Sequence, residues 1–375
     1  MGAGKVTMVL PDFGGGGAER IMVFLANAFA ERGVETTFLA GRAEGPCLAD
    51  LSRQVRLVDL GVRRFSRAVP ALVRHMNAAS PDAVLSALTH ANLVTLLAAR
   101  LARRGPRIVV AEHNSTTMLA NAGGGPKQVV KTALMRWLYP RADCITFVSQ
   151  AMQAEFAALL RLPPDRLATV YNPVPVDQLR QRAAAGPSHA WLVRKEGPVA
   201  IAAGRLTGQK DFPTLLRAFA RVPLPARLIV FGEGPDRSAL EALRDELGLA
   251  DRVSFPGFLA NLPAELAAAD LFVLSSLWEG LPGVLLEALA LEVPVVATDC
   301  PTGPNEILDG GRWGRLVPTG QPEALATAMQ AALDRPVAAA PQDVLAPFAP
   351  ERIIEQYLGI LLPGWTQSTG DHTKD

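Results

Sequence analysis

The sequence predicts an α/β protein made of two tandem doubly wound (Rossmann-like) domains. Its 375 residues correspond to two domains at roughly 150 residues each. In each half, short apolar runs alternate with amphipathic segments of helical period, a pattern typical of βαβ units and a parallel sheet. The alternation stops at 172–198, where prolines and glycines accumulate, and then restarts, which indicates two separate domains.

The predicted elements follow one another with the same rhythm in both halves. Strands of the first half are predicted at 5–10, 34–40, 55–60, 83–87, 107–111, 145–148 and 167–170. Strands of the second half are predicted at 199–203, 227–231, 253–255, 271–275, 293–297 and 315–317. Helical periodicity predicts helices at 18–32, 92–104, 213–221, 238–247 and 351–362.

These elements divide the chain into five segments. They are an N-terminal domain at 1–175, a linker at 176–197, a C-terminal domain at 198–348, a helix at 349–363 and a disordered tail at 364–375. We expect the helix at 349–363 to pack back on the N-terminal domain. Ligands of doubly wound sheets collect beyond the carboxyl ends of the strands. We therefore expect the two domains to face one another across a cleft, each holding one substrate.

Composition and cysteine content exclude several classes of protein. Apolar residues make up 49% of the chain and charged residues 19%, which provides packed cores and rules out general disorder. No apolar run approaches the roughly 18 residues of a membrane-spanning helix, and the N-terminus lacks a signal-peptide pattern. Cys47, Cys144 and Cys300 are too few and too scattered for a disulfide scaffold or a cysteine-rich metal site, so we expect a cytoplasmic protein.

The net charge of +1 conceals an asymmetry between the two halves. Residues 1–180 carry 21 Lys and Arg against 13 Asp and Glu, whereas residues 181–375 carry 16 against 23. A basic first half fits an anionic membrane surface or a phosphorylated substrate, and a solvated arginine-rich surface is the simpler alternative. We predict no nucleic-acid partner.

Several common catalytic motifs are absent from the sequence. It contains no Walker A loop, no Gly-x-Gly-x-x-Gly, no His-Glu-x-x-His and no Gly-x-Ser-x-Gly. It also lacks the Asp-x-Asp pair that holds a divalent metal in many transferases. These absences argue against dinucleotide, zinc-hydrolase and serine acyl-transfer chemistry, and we predict no metal and no cofactor.

Two loops that follow predicted strands carry groups suited to phosphate. Four glycines at Gly14–Gly17 follow the first strand and open a helix, whose first N–H groups attract anions. Arg205 and Lys210 lie five positions apart after the strand at 199–203, where two converging cations would suit a diphosphate. A tight turn and an ordinary basic loop are the respective structural alternatives.

A third loop, after the predicted strand at 271–275, places two carboxylates around the start of a helix. Glu279 lies just before this helix and Glu287 about a turn and a half inside it, with Pro282 at a position that suits the first turn. Carboxylates accept hydrogen bonds from vicinal hydroxyls, so one acid would bind a hexose and the other a ribose. The alternatives are a helix-dipole acid at Glu279 and a solvated side chain at Glu287.

In order and spacing, these loops resemble those of the retaining glycosyltransferases of family 4, which have the GT-B fold. The segments that carry the resemblance are Gly16–Arg20, 204–206, 209–211, 232–235, 256–258, 279–282 and 303–307. The resemblance covers nearly the whole chain, and its most specific part is the Glu-x7-Glu pair. It implies transfer of a sugar, with retention at the anomeric carbon and without an essential metal. The C-terminal domain would bind the nucleotide-sugar donor and the N-terminal domain the acceptor.

The resemblance also implies roles for individual residues. The implied catalytic residues are His113, Arg205, Lys210 and Glu279. The implied donor-binding residues are Gly16, Gly17, Gly232, Gly257, Phe258, Asn261, Gly280, Leu281, Pro282, Gly283 and Glu287. Arg205 and Lys210 would neutralise the departing diphosphate. A neutral His113 would polarise a hydroxyl or stabilise developing charge at the donor sugar.

For the acceptor, the resemblance implies only a class of molecule: a glycan or a lipid-linked molecule in surface-polysaccharide or lipopolysaccharide synthesis. The transferred unit would be hexosyl or N-acetylhexosaminyl, from a UDP-sugar. Basic residues alternate with bulky apolar ones at 127–141, as in interfacial helices, which predicts peripheral attachment to the inner face of the membrane. A helix with its apolar side in the core is the alternative interpretation.

Other functions on the same fold stay open. A sugar-nucleotide epimerase would keep the donor site and change the reaction. A phosphorylase would need a pyridoxal-phosphate lysine, and Lys195 and Lys210 are the only lysines between Lys131 and Lys374. The non-enzyme alternative is a sugar-binding module or an inactive pseudo-transferase, against which the intact set of charged residues argues.

Overall fold

The chain is organised as two α/β units, each with its own parallel sheet and hydrophobic core. The computed structural model describes four stretches, residues 4–103, 105–115, 126–335 and 340–365. Unit 1 consists of Met1–Pro173 together with Pro350–Asp375, and unit 2 of Val174–Ala349. The predicted pair of doubly wound parallel sheets is confirmed.

Seven strands of unit 1 lie within the described residues: β1 (Lys5–Leu10), β2 (Glu35–Ala40), β3 (Arg56–Asp59), β4 (Ala83–Ala87), β5 (Arg107–Glu112), β6 (Cys144–Phe147) and β7 (Leu167–Thr169). They form one parallel sheet in the order β3-β2-β1-β4-β5-β6-β7. Every residue of β4 is buried, because a parallel sheet is covered on both faces. This two-sided burial produces the continuous apolar runs of the central strands, whereas the edge strands β3 and β7 are more exposed. The strands are predicted to within a residue or two.

Helices of unit 1 flank this sheet. Those described before the chain enters unit 2 are α1 (Gly17–Glu31), α2 (Val69–Ala79), α3 (Thr89–Leu101), α4 (Pro126–Leu138) and α5 (Gln150–Leu160). Met22, Leu25 and Phe29 of α1 are buried in the core against the sheet. Across the whole described chain, no helix is both long and apolar enough to cross a bilayer.

Unit 2 repeats the same architecture with a smaller sheet. Its described strands are β8 (Val199–Ala203), β9 (Arg227–Phe231), β10 (Val253–Gly257), β11 (Leu271–Leu274), β12 (Val295–Thr298) and β13 (Arg315–Val317). The parallel order is β10-β9-β8-β11-β12-β13. Its described helices are α6 (Val176–Ala183), α7 (Ala190–Val193), α8 (Phe212–Phe219), α9 (Arg237–Glu246), α10 (Leu262–Ala267), α11 (Gly283–Ala290), α12 (Pro304–Ile307) and α13 (Pro322–Asp334).

The stretch 176–197, predicted as a linker, is packed into unit 2 instead. Leu179 of α6 and Leu192 of α7 are buried. Between the two helices, Ser188 donates hydrogen bonds from its N–H and its hydroxyl to the buried carboxylate of Glu265, at 2.7 and 2.6 Å. The prolines and glycines of this stretch interrupt its helices, and only tertiary contacts reveal that the segment belongs to a domain.

The last helix, α14 (Pro350–Leu361), belongs to unit 1 although it follows unit 2 in the sequence. Tyr357 is buried in the core of unit 1. The guanidinium Nε of Arg107 donates a hydrogen bond to the carbonyl of Ile360 at 2.6 Å. The tail predicted at 364–375 lies, from residue 366 onward, outside the described residues.

The strand order of each sheet reverses once. In unit 1 the reversal lies between β1 and β4, and in unit 2 between β8 and β11. Crossovers leave such a point in opposite directions, which opens a crevice at the carboxyl ends of the two strands. The glycine loop follows β1, the loop 204–211 follows β8, and the loop 275–282 follows β11. All three loops identified in the sequence therefore lie at a switch point.

Gly232→Ala should destabilise unit 2 strongly. Gly232 has φ 133°, and a Cβ there would lie 1.9 Å from the carbonyl oxygen of Gly204. We expect a loss of at least about 3 kcal/mol in the free energy of unfolding, because the collision adds to the strain of a positive φ. Gly248→Ala is the matched control: Gly248 has φ 67° and no atom within 4 Å of a Cβ, so strain alone, about 1 kcal/mol, applies. Equal losses in denaturant titrations of the two variants would refute the packing role.

Candidate active site

The two loops at the switch point of unit 2 are tied to one another by hydrogen bonds. The N–H of Leu277 donates to the carbonyl of Gln209 at 2.8 Å, and the side-chain amide of Gln209 donates to the carbonyl of Trp278 at 2.9 Å. The hydroxyl of Ser275 donates to the carbonyl of Lys210 at 2.6 Å. These bonds fix one loop against the other, so the charged residues that the loops carry are held in one arrangement.

Lys210 and Glu279, two of the predicted catalytic residues, form a buried ion pair between these loops. Nζ of Lys210 lies 2.5 Å from Oε1 of Glu279, and the side chains are 16% and 8% exposed. The hydroxyl of Ser276 donates to the same oxygen at 2.5 Å, and the hydroxyl of Thr302 donates to the backbone carbonyl of Glu279. A buried ion pair persists only when further hydrogen bonds compensate for lost solvation. The hydroxyl of Ser276 supplies one to the carboxylate, and that of Thr302 holds the backbone of Glu279.

Arg205 has a different environment from Lys210, although both are predicted to meet a diphosphate. Its side chain is exposed, and no acidic group of the described residues pairs with its guanidinium. The next residue, Leu206, is fully buried, and its N–H donates to the carbonyl of Glu233 at 3.0 Å. The backbone at this point is therefore fixed while the guanidinium faces solvent.

The helix α11 begins beside Glu279 with an uncapped N-terminus. Pro282 is the N-cap residue, and its side chain makes no capping hydrogen bond. Gly283 is exposed, and a Cβ on it would meet nothing within 4 Å. Uncapped N–H groups at a helix start attract anions. Gly280 and Leu281 precede the helix and are buried.

Glu287, predicted to bind the ribose of the donor, lies inside α11. It is half-buried, between the buried Leu286 and Ala288. This placement excludes the fully solvated side chain considered as an alternative. A contact of Glu287 with ribose stays a prediction.

The glycines of the loops after β9 and β10 have a packing function. A Cβ on Gly232 would collide with the carbonyl of Gly204, and one on Gly234 would lie 2.2 Å from that of Leu206. The N–H of Gly232 donates to the carbonyl of Gly257 at 2.9 Å, and Gly257 has φ 95°. The loops after β8, β9 and β10 thus pack backbone against backbone. A donor contact at Gly232 or Gly257 stays a prediction.

The loop after β10 carries Phe258 and Asn261, which are predicted to lie near the base of the donor. Phe258 is 67% exposed and so presents an open aromatic face. The Nδ2 of Asn261 donates to the carbonyl of Arg182 at 3.1 Å, and the guanidinium of Arg182 donates to the carbonyl of Ala260 at 2.5 Å. Arg182 therefore holds this loop. Nothing in the sequence marks Arg182, because α6 has no motif and lies in the stretch predicted as a linker.

In unit 1, the glycine loop is covered by a carboxylate. Gly16 is the N-cap of α1, and a Cβ on it would lie 2.5 Å from Oε2 of Glu19, so the Glu19 side chain folds back over the loop. Burial raises the pKa of Glu19, a hydrogen bond from its own backbone N–H lowers it, and the charge of Asp12 raises it. A Cβ on Gly17 would meet nothing within 4 Å. Acidic groups thus flank a loop whose glycines are predicted to border phosphates.

His113 lies directly after β5 in unit 1. Both ring nitrogens are buried, and neither has a hydrogen-bond partner within the described stretches. Burial lowers the pKa of His113 to about 4, so the imidazole is neutral near pH 7. The neighbouring Glu112 has another environment: its fully buried carboxylate accepts hydrogen bonds from Thr89, Asn92 and Tyr139. The ion pair belongs to unit 2, so a role of His113 beside it stays a prediction.

Side chains suited to a metal or to pyridoxal phosphate are scarce. In the parts of the chain that the structure describes, no group of three or more His, Cys, Asp or Glu side chains could hold a metal ion. Lys195, considered as a pyridoxal-phosphate lysine, pairs instead with Asp270, with 2.9 Å between Nζ and Oδ1.

Two family models match the chain, one in each half. The model described as Glycosyltransferase Family 4 matches residues 15–178, and the model described as Glycosyl transferases group 1 matches residues 197–335. The two matches do not overlap and together cover most of the chain.

Three relatives illustrate what the chain is similar to. An uncharacterized glycosyltransferase of Methanocaldococcus jannaschii is 35% identical over 177 residues, 46% of this chain and 44% of that protein. The N-acetylgalactosamine-N,N'-diacetylbacillosaminyl-diphospho-undecaprenol 4-alpha-N-acetylgalactosaminyltransferase of Campylobacter jejuni is 28% identical over 230 residues, 61% of each chain. The lipopolysaccharide core biosynthesis glycosyltransferase LpsE of Rhizobium meliloti is 28% identical over 323 residues, 84% of this chain and 85% of that protein. The chain thus spans less than two thirds of the first two relatives.

Solved structures share the fold at low sequence identity. Anabaena HepE in complex with UDP-glucose has a TM-score of 0.78 at 22% identity, over 95% of this chain and 99% of that one. WaaG, a glycosyltransferase involved in lipopolysaccharide biosynthesis, has a TM-score of 0.70 at 18% identity, over 96% and 100% of the chains. The common architecture shows the GT-B fold, and the two family models show that the chain belongs to the group 1, or family 4, glycosyltransferases.

Proposed function

We propose that this protein is a retaining glycosyltransferase that moves a hexosyl or N-acetylhexosaminyl unit from a UDP-sugar to a glycan or lipid-linked acceptor in surface-polysaccharide synthesis. The observation that carries the proposal is the Lys210–Glu279 ion pair at the switch point of unit 2, with Arg205 in the same loop. Nucleotides bind at this edge of doubly wound sheets. The printed activities of the Campylobacter and Rhizobium relatives, and the UDP-glucose bound to HepE, support these donor and acceptor classes.

The leaving group of this reaction is a diphosphate, whose negative charge grows as the sugar departs. The exposed guanidinium of Arg205 has a planar fork that binds two phosphate oxygens at once. The uncapped start of α11 offers backbone N–H groups to the same charge. Lys210 adds positive charge that Glu279 partly neutralises. We propose that these groups make an essential metal ion unnecessary.

Recognition of the rest of the donor is divided among neighbouring loops in this proposal. Glu279 accepts hydrogen bonds from the sugar, and Glu287 from the ribose. Phe258 offers its exposed face to the base, and the buried Oδ1 of Asn261, which has no hydrogen-bond partner among the described residues, can accept one from it. Gly16 and Gly17 of unit 1 border the phosphates.

The proposed chemistry is a same-face substitution through an oxocarbenium-like transition state. The bond between the anomeric carbon and the phosphate oxygen breaks, the acceptor hydroxyl oxygen bonds to that carbon on the same face, and its proton passes to the leaving phosphate. A neutral His113 polarises a hydroxyl without repelling the developing positive charge. Glu279 is bound to Lys210 and Ser276, which disfavours it as a covalent nucleophile.

An exposed face of α4 supports attachment to a membrane surface. Val129 and Val130 are 65% and 57% exposed, and Trp137 is 44% exposed. The guanidinium carbons of Arg100 and Arg141 lie 5.2 and 5.0 Å from the centre of the Trp137 ring. Interfacial helices combine exposed apolar side chains with flanking cations in this way. We propose that this face binds the anionic cytoplasmic face of a membrane, where a lipid-linked acceptor would be found.

Arg205→Ala and Lys210→Ala should each lower kcat by roughly 100-fold or more, since a preorganised group that stabilises developing charge is worth about that much. The measurement is release of UDP from a UDP-sugar, with and without EDTA, and activity should persist in EDTA. Arg221→Ala is the matched control: this arginine forms an exposed ion pair with Glu323 in unit 2 and should leave kcat unchanged. An unchanged kcat in both site variants would disprove the diphosphate assignment.

Because of His113, the free energy of unfolding should decrease as the pH is lowered. Its pKa in the folded chain, about 4, is below the ordinary value of 6.5, so the unfolded chain binds its proton first. Above pH 6.5, titration of His113 does not change the free energy of unfolding. As the pH falls toward 4, it lowers that free energy by roughly 3 kcal/mol in total. His113→Gln should remove this part of the pH dependence of the free energy of unfolding. Parallel curves for the two proteins between pH 7 and pH 4 would show that His113 is not buried as a neutral group.

The α4 face should make membrane binding depend on lipid charge. The full chain should sediment with phosphatidylglycerol vesicles more than with phosphatidylcholine vesicles, and high salt should release it. Val129→Asp should weaken this binding roughly tenfold, because one apolar contact is lost and a repelled charge is added. Val193→Asp is the matched control, since Val193 is also 65% exposed but lies in unit 2. Equal binding to both lipids would count against attachment.

A further inference from the structure

The two carboxylate oxygens of Glu279 are not equivalent. Oε1 accepts hydrogen bonds from Nζ of Lys210 and from the hydroxyl of Ser276, each at 2.5 Å. No donor within the described stretches is found on Oε2. A carboxylate oxygen accepts about two hydrogen bonds, so Oε1 is already filled by the protein itself.

The backbone of Ser276 is held by a hydrogen bond from the neighbouring strand β12. It is fully buried, and its backbone carbonyl accepts a hydrogen bond from the hydroxyl of Thr298 in β12, at 2.5 Å. The hydroxyl of Thr302 donates to the backbone carbonyl of Glu279. The orientation of the Glu279 carboxylate is therefore fixed by the end of β12 as well as by Lys210.

We propose that Ser276 is a positioning residue which, together with Lys210, commits Oε1 of Glu279 to the protein, so that the donor sugar is recognised through Oε2 alone. This inference rests on the proposed binding of the donor sugar by Glu279. Without the Ser276 hydroxyl, the carboxylate gains rotational freedom and Oε1 becomes a competing acceptor, so binding of the sugar weakens. Binding of the diphosphate is unaffected, because Arg205 and the start of α11 have no hydrogen bond to the Ser276 side chain in the described structure.

The test compares two ligands on the full chain by calorimetric titration. Wild type is first titrated with UDP-glucose, UDP-galactose, UDP-N-acetylglucosamine and UDP-N-acetylgalactosamine, and the one that binds is carried forward with UDP. In Ser276→Ala, the Kd for the sugar nucleotide should rise about tenfold, as expected for loss of a hydrogen bond to a charged group. The Kd for the nucleoside diphosphate should stay within about twofold, so the ratio of the two constants carries the result.

Ser275→Ala is the matched control. Ser275 is equally buried, and its hydroxyl donates to the backbone carbonyl of Lys210, not to the Glu279 carboxylate. A purely structural disturbance changes the Kd for the sugar nucleotide and the Kd for the nucleoside diphosphate by the same factor. We expect this result for Ser275→Ala. Ser276→Cys keeps the side-chain size but donates a weaker hydrogen bond, and it should reproduce the selective loss if Ser276→Ala does not fold.

Each outcome decides between the hypotheses. A selective loss for the sugar nucleotide supports the positioning role. An equal loss for both ligands, or no loss for either, overturns it and leaves the proposed transferase standing. If wild type binds none of the four UDP-sugars, the proposed function fails, and the positioning role fails with it.

Discussion

The buried ion pair between Lys210 and Glu279 governs the structure around the active edge of unit 2. Removing each charge from water costs several kcal/mol, so the pair is stable only with close geometry and filled hydrogen-bond sites. The 2.5 Å contact provides the close geometry, and the hydroxyl of Ser276 adds a second hydrogen bond to Oε1, while Oε2 is left to a ligand or water. The nearby Cys300 does not disturb them, because burial, and then the charge of Glu279, raises the pKa of its thiol to about 12 and keeps it neutral.

The ion pair in turn requires loops that approach one another closely. Lys210 lies in the loop after β8, and that loop rests on the loop after β9 with backbone in contact with backbone. Gly232 and Gly234 make this possible, since a Cβ on either would overlap a carbonyl oxygen of the β8 loop. The glycines therefore act on the chemistry indirectly: they fix the backbone from which Arg205 extends into solvent. The position of the proposed diphosphate-binding charge of Arg205 thus depends on the uncharged Gly232 and Gly234.

Much of this could be predicted from the sequence, and the failures share one cause. Central strands are predicted almost to the residue because burial on both faces leaves a continuous apolar run. The charged residues of the candidate site are predicted from residue types that suit a diphosphate and a sugar and from the family resemblance, and their binding roles stay predictions. The packing of 176–197, the loop contact made by Arg182 and the hydrogen bond of Ser276 depend on segments that meet only after folding. No local pattern encodes such contacts.

The net charge of each half does not describe the charge around its predicted phosphate-binding loop. The first half is basic, yet Asp12 and Glu19 flank the glycine loop of unit 1. The second half is acidic, yet its switch point carries Arg205 and Lys210. Charges act over a Debye length of roughly 8 Å at physiological ionic strength, so the groups beside a ligand outweigh the total of the domain. Part of the basic surplus of unit 1 is exposed: Arg100 and Arg141 flank the ring of Trp137 in α4, on the face that we propose binds an anionic surface.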